Sequence, residues 1–220
     1  MGVYPDRSSP TMKHAIIPVT AFQQNCTLLW CNKTAEAVIV DPGGDSRRIV
    51  DAVHGERIKP VRILLTHGHL DHVGAAAELA RALDVPIEGP HADDAMWIDA
   101  LEQQARMFGL PSVTGFQPDH WLHDGDRITF GEQELLAIHC PGHTAGHLVF
   151  FDERGRLAQV GDVLFRGSIG RTDLPGGDHA TLLDSIRRRL LPLGDDVRFI
   201  PGHGPMSDLG TERRTNPFLR

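Results

Sequence analysis

Cysteine is scarce in this chain: Cys26, Cys31 and Cys140 are the three in 220 residues. So small and odd a set cannot form a disulfide framework, so stability must come from a buried core, and a reducing compartment is the expected setting. Long apolar runs are missing as well. No stretch approaches the length of a membrane span, and residues 1–13 lack the apolar centre of a secretory signal; the chain is therefore expected to be cytoplasmic, with no membrane partner. Basic clusters are also absent. The 22 Lys and Arg are scattered among 29 Asp and Glu, for a net charge of −7, which leaves no footprint for a nucleic-acid backbone. A small-molecule substrate fits this balance better.

The length suits one large domain. The opening "MGVYPDRSSPT" is polar and contains Pro and Ser, so residues 1–12 are expected to form a flexible tail and residues 13–220 a single domain. Short apolar runs of strand type follow: "AIIPV", "CTLLW" and "AVIVD", the last closed by the turn "DPGG". Ser46 is placed to cap a helix over Arg47–Val53, and "VRILLT" reads as a buried strand. "VGAAAELARAL" has helix composition, "VPIEG" suits a strand, and Ala92–Phe108 suits a helix before the break "GLPSVTGFQPD". The second half repeats this grammar with strands at "RITF", "QELLAIHC", "HLVFF" and "RLAQVGD", a helix at "HATLLDSIRRRLL" and a last strand at "VRFIPG". Hairpins in both halves with interspersed helices predict an α/β layer fold built on two packed mixed sheets.

The stretch "LLTHGHLDHVG" carries His67, His69, Asp71 and His72 on one turn after a strand. Three more ligand-type residues also fall at predicted strand ends: His143 in "CPGHTAGH", Asp162 closing "AQVGD", and His203 in "PGHG". Strand-to-helix turns can aim several side chains at one point. A lone His there is more often a satisfied polar group, but four ligand-type residues within six is a different case. His and Asp donors suit zinc, iron or manganese, whereas structural zinc sites are usually rich in Cys, so a catalytic site is expected. Seven donors exceed the needs of one tetrahedral ion. Two ions roughly 3.5–4 Å apart are therefore expected, and Asp162 is a candidate bridge.

"THGHLDH", followed downstream by His143, Asp162 and His203, resembles the HxHxDH signature of the metallo-β-lactamase superfamily, and the likeness spans nearly the whole chain. The resemblance implies a four-layer αββα sandwich with the site at one edge of the two sheets. It further implies that His67, His69 and His143 hold one divalent metal ion, that Asp71, His72 and His203 hold a second, and that Asp162 is shared. Zinc is the expected metal, with iron and manganese as alternatives. Asp162 stands where typical zinc β-lactamases carry a cysteine.

Within that superfamily, "GDVLFRGSIGRTDLPGGDHATLLDSI" and the ending "PGHGPMSDLGTERRTNPFLR" resemble the glyoxalase II (hydroxyacylglutathione hydrolase) branch in its short bacterial form. The activity implied is hydrolysis of a glutathione thioester such as S-lactoylglutathione by a metal-bridging hydroxide, with Asp71 beside it as a catalytic residue. The helical domain that helps glyoxalase II hold glutathione would follow "NPFLR", where this sequence stops. Arg171, Arg166 and Arg220 are the candidate cations for substrate carboxylates. Glyoxalase II tends to carry Lys and Tyr where this chain has Arg171 and Asp173, and "GRTD" is shared with the mononuclear-iron persulfide dioxygenases, the alternative reading. A non-catalytic metal-binding module is disfavoured by the intact donor set, and an RNA-processing nuclease by the acidic balance.

Cys140 reads as a small buried hydrophobe despite its closeness to His143. His147 is expected to pack at the start of a strand and His179 to begin a helix. His14, His54, His91, His120, His123 and His139 show no partner pattern. Asp41 in "DPGG" is placed to accept a bond from a metal-bound His.

Overall fold

The structure is a computed structural model that describes residues 12–109, 113 and 115–220. Of the expected tail, residues 1–11 lie outside the described residues, and Met12 is the first residue of a strand.

The first sheet has five strands in the order β1 (Met12–Val19), β2 (Gln24–Cys31), β3 (Glu36–Val40), β4 (Lys59–Leu64) and β5 (Ile87–Glu88). Its first two pairings are antiparallel and its last two parallel. The second is built from β6 (Arg127–Phe130), β7 (Gln133–His139), β8 (Leu148–Asp152), β9 (Leu157–Gly161), β12 (Arg198–Pro201) and β13 (Ser207–Asp208), in the order β13-β12-β9-β8-β7-β6. Between β9 and β12, β10 (Leu164–Phe165) and β11 (Ser168–Ile169) form a small hairpin. The helices are α1 (Ser46–Glu56), α2 (Leu70–Val73), α3 (Ala76–Leu83), α4 (Ala95–Asp99), α5 (Leu101–Met107), α6 (His179–Ser185) and α7 (Leu209–Thr215).

Strand alternation sorts the apolar residues into three cores. Leu28, Trp30, Ile39 and Ile63 face Ile49 of α1 and Leu79 of α3, while Leu29, Val38, Val40 and Leu64 point the other way. That opposite face meets Leu135, Ala137, Leu148 and Phe150 of the second sheet. The next residues along, Ile138, Val149, Phe151 and Val160, pack under Leu182 of α6 and Leu209 of α7. Helix, sheet, sheet and helix form four layers, as the resemblance implied. The central strands read as nearly continuous apolar runs because both of their faces are buried.

Local detail departs from the sequence reading where tertiary contacts intervene. Ser46 is the first residue of α1 and not its cap; Asp45 sits before it at φ 51, and Ser46 Oγ donates to Glu78 Oε1. The helix expected over 73–83 divides into α2 and α3 because the chain presses on the "DPGG" turn: a Cβ on Gly43 would lie 1.5 Å from the Asp71 carbonyl oxygen, and the Ala75 amide donates to Pro42 O. The 92–108 segment is a 3-10 turn followed by α4 and α5, broken at Ala100. The last long helix begins as α6 and ends in a π turn over Ile186–Leu190.

Candidate metal centre

The antiparallel and parallel pairings make β7, β9 and β12 run in one direction, so the segments that follow them emerge at one edge. His143, Asp162 and His203 lie in those segments. The turn after β4 and the short α2 bring His67, His69, Asp71 and His72 to meet them across the seam of the two sheets. All seven sequence-predicted residues converge. One nitrogen each from His67, His69 and His143 forms one group, and Asp71, His72 and His203 form another, with the donor atoms of each set within 4.8 Å of one another. Asp162 faces both: its carboxylate oxygens lie 3.7 Å from His143 Nε2, 3.4 Å from His72 Nε2 and 3.8 Å from His203 Nε2.

Hydrogen bonds on the far side of the rings fix which nitrogen faces inward. Asp41 Oδ2 accepts from Thr66 Oγ1 at 2.6 Å, so the Thr66 oxygen is left to accept from His67 Nδ1 at 3.0 Å, which turns the Nε2 lone pair of His67 into the cluster. His143 Nδ1 donates to Arg171 O at 2.8 Å, His203 Nδ1 to Phe22 O at 3.1 Å and His72 Nδ1 to Asp41 Oδ2 at 2.9 Å. Asp41 thus accepts a bond from one of the cluster histidines. His67 Nε2 and His143 Nε2 each lie 3.1 Å from His69 Nδ1, so three ring nitrogens face one spot, while His69 Nε2 is buried with no hydrogen-bond partner. His72 Nε2 and Asp162 Oδ1 are buried with no hydrogen-bond partner. Converging lone pairs and unpaired buried acceptors are what a cation satisfies, and the donor set fits a divalent metal.

Electrostatics divide the two groups. Burial, reinforced by the neighbouring imidazoles, depresses His67 far below the usual histidine range and lowers His69 to about 3, so both are neutral, the form that binds metal. Burial opposes charge on Asp71 and Asp162, yet His72 and its neighbours hold both carboxyls below the usual range. His72 is raised against its own burial by Asp162, Asp71 and Asp41.

Two supporting residues, Asp94 and Asn25, and the supporting contacts of a third, His147, escaped the sequence reading. Asp94 is buried and ties the two His-bearing loops together: it accepts from Gly68 N at 2.9 Å, Thr144 Oγ1 at 2.8 Å and Gly146 N at 2.6 Å. His147, at the start of β8 as expected, also stacks on His67 with centroids 4.7 Å apart, and its Nε2 accepts from Asp162 N. Asn25 Nδ2 donates to Pro201 O and Gly204 O, which holds the His203 loop. At Gly202 any Cβ would sit 2.1 Å from Asp162 Oδ1. Cys140 is fully buried, and His179 begins α6. His91 and His139, expected to have no partners, stack 4.5 Å apart beside Asp93.

The cluster floors a cavity of about 530 Å³ lined by His69, Asp71, His143, Asp162 and His203, with Arg171 at its side. Arg171 forms a two-pronged pair with Asp173, at 2.8 and 2.7 Å. Arg166 is exposed in the turn joining β10 to β11 and Arg220 donates to Arg214 O; neither is among the residues lining the cavity.

Two mixed sheets between helical layers, with a His/Asp cluster at their common edge, are the architecture of a class of metal-dependent enzymes. The chain belongs to the Metallo-beta-lactamase superfamily, which matches residues 19–203. Among its relatives is the hydroxyacylglutathione hydrolase GloC of Haemophilus influenzae, 46% identical over 209 residues that make up 94% of this chain and 98% of that protein. Two solved structures are also similar. BLEG-1 B3 metallo-beta-lactamase is 37% identical with a TM-score of 0.87, over 94% of this chain and 99% of that one. TTHA1623 in a di-iron-bound form is 39% identical with a TM-score of 0.85, over 93% and 100%. Among the described residues, no helix is long and apolar enough to cross a membrane.

Proposed function

We propose that this metal-dependent hydrolase cleaves glutathione thioesters, S-lactoylglutathione or a similar hydroxyacylglutathione, in the cytoplasm. The observation that carries the reading is the pair of three-residue groups sharing Asp162 on the floor of one cavity. Near-complete coverage of a hydroxyacylglutathione hydrolase supports the substrate class. On this reading His67, His69 and His143 hold one ion, Asp71, His72 and His203 hold the other, and Asp162 serves both. Zinc is the proposed metal; the di-iron form of a similar protein supports iron as an alternative that the same donors accept, and manganese suits them too.

Such ions supply Lewis acidity, which polarises a carbonyl and lowers the pKa of a water towards ~7. The side chains do the rest. Asp71, which lines the cavity 3.2 Å from His203 Nε2, orients the attacking water by accepting one of its protons in a hydrogen bond. Water adds to the thioester carbonyl carbon and the C–S bond breaks. The products are a carboxylate, a thiol and one proton. The sulfur leaves as thiolate, since its conjugate acid has a pKa of about 8.5. Arg171, the one Arg or Lys lining the cavity among the described residues, exchanges its exposed Asp173 partner for a carboxylate of the substrate.

Metal analysis of protein purified without added metal, combined with an S-lactoylglutathione assay and an oxygen electrode, tests the reading. Thiol release without oxygen uptake, at two metals per chain, is expected. One iron per chain with oxygen consumed on a persulfide would replace it with the dioxygenase alternative.

A further inference from the structure

Beyond the metal-facing residues the cavity wall is mostly apolar, with Gln103, Gln104 and Arg171 as its polar members. Phe22, Met96, Met107 and Phe108 are four of the five large hydrophobic side chains that the described residues leave exposed, Met107 to 71%, and all four line this cavity. Single exposed hydrophobes need no explanation, but a contiguous group around a cavity marks a binding surface. The group is also held in place. Phe22, at the tip of the β1–β2 hairpin, meets Phe108, just past α5, edge to face at 5.7 Å, and Trp97 of α4 lines the same cavity with its ring 4.5 Å from that of His69.

The cavity therefore offers two kinds of contact. Trp97 stands against His69 and the Phe22 carbonyl accepts from His203, so the apolar wall reaches the histidine cluster. Arg171 is the one Arg or Lys lining the cavity among the described residues. A thioester laid across the cluster has two arms. Carboxylates of a glutathione carrier match Arg171, which leaves the acyl arm for the apolar wall. A methyl-sized acyl group would cover little of that wall.

We propose that the wall formed by Phe22, Met96, Trp97, Met107 and Phe108 is an acyl subsite and that the preferred substrates are thioesters with an apolar, aromatic-sized acyl group. The inference rests on the thioesterase reading and names its substrate class. Replacing the methyl of S-lactoylglutathione with phenyl gives S-mandeloylglutathione, with the thiol arm unchanged. The metal-loaded full-length enzyme should favour the mandeloyl ester by about 10- to 100-fold in kcat/KM, the scale that a few added carbons reach in an apolar site. Phe108→Ala and Met107→Ala, both at exposed positions, should pull that ratio towards one. Calorimetric titration with mandelate and lactate, the two acyl products, gives a readout independent of turnover, and mandelate should bind more tightly. Hydrolysis of both esters at equal efficiency, or a preference unchanged in both variants, would overturn the subsite and leave the thioesterase standing. Tighter mandelate binding without hydrolysis of either ester would keep the subsite and sink the thioesterase reading.

Discussion

Asp94→Asn tests whether the two His-bearing loops depend on a shared buckle. The carboxylate accepts from both loops at once, through Gly68 on one side and Thr144 and Gly146 on the other. Hydrogen bonds to a charged group contribute about 1.5–3 kcal/mol each in favourable cases. Here, however, burial pushes the Asp94 carboxyl above its usual pKa despite the three donors. An acid raised on folding favours the folded state most when protonated, and that contribution is lost as pH rises through the folded value. Ionisation of Asp94 is therefore not what favours the folded state. An asparagine amide keeps one acceptor but turns its NH2 towards an N–H or hydroxyl donor, so the cost should be one mismatched pair, about 1–3 kcal/mol in urea denaturation of the chelated protein. An effect of similar size should fall on the metal. Residues that orient ligands from behind typically change affinity by about 10- to 100-fold, read here by competition with a fluorescent chelator. Unchanged metal affinity alongside a drop in stability would refute the buckle and reduce Asp94 to a packing residue.

His67→Ala should remove one ion and nearly all turnover, because His67 supplies an inward lone pair that no neighbour replaces; retention of both ions by metal analysis would count against it. In Gly43→Ala the new Cβ would lie 1.5 Å from the backbone oxygen of Asp71, so the "DPGG" turn and the Asp71–His72 segment must separate. A loss of about 3–5 kcal/mol is expected, with the second ion lost along with it; near-parental stability and metal content would show that the turn relaxes freely. Cys140→Ala should leave kcat intact and cost about 1–2 kcal/mol for a small buried side chain. Burial raises the Cys140 thiol to about 12, so iodoacetamide at pH 8 should leave it unlabelled in the folded protein, and rapid labelling would contradict its burial.

The convergence of the seven residues was readable because it is written locally: four of them sit within six positions, and the other three follow runs whose apolar character marks them as strands. The two mixed sheets were readable for the same reason. What stayed hidden depends on partners distant in sequence. "HADDAMW" gives no sign that Asp94 reaches Gly68 and Gly146, and nothing near Asn25 points to Pro201 and Gly204. The unbroken helix pattern after His72 conceals the approach of Gly43, which splits it in two. The two-residue strands of the β10–β11 hairpin are too short to show a periodicity.

The seven side chains divide by origin: His67, His69, Asp71 and His72 come from the first sheet's half of the chain, and His143, Asp162 and His203 from the second's. Each half taken alone offers an incomplete donor set. The complete centre exists only after the two sheets have docked, a long-range step that local helix or hairpin formation cannot replace. On the proposed two-metal reading, metal retention would be a certificate of assembly: a chain whose halves are both folded but misdocked would give up its ions to a competing chelator, and a correctly joined one would keep them.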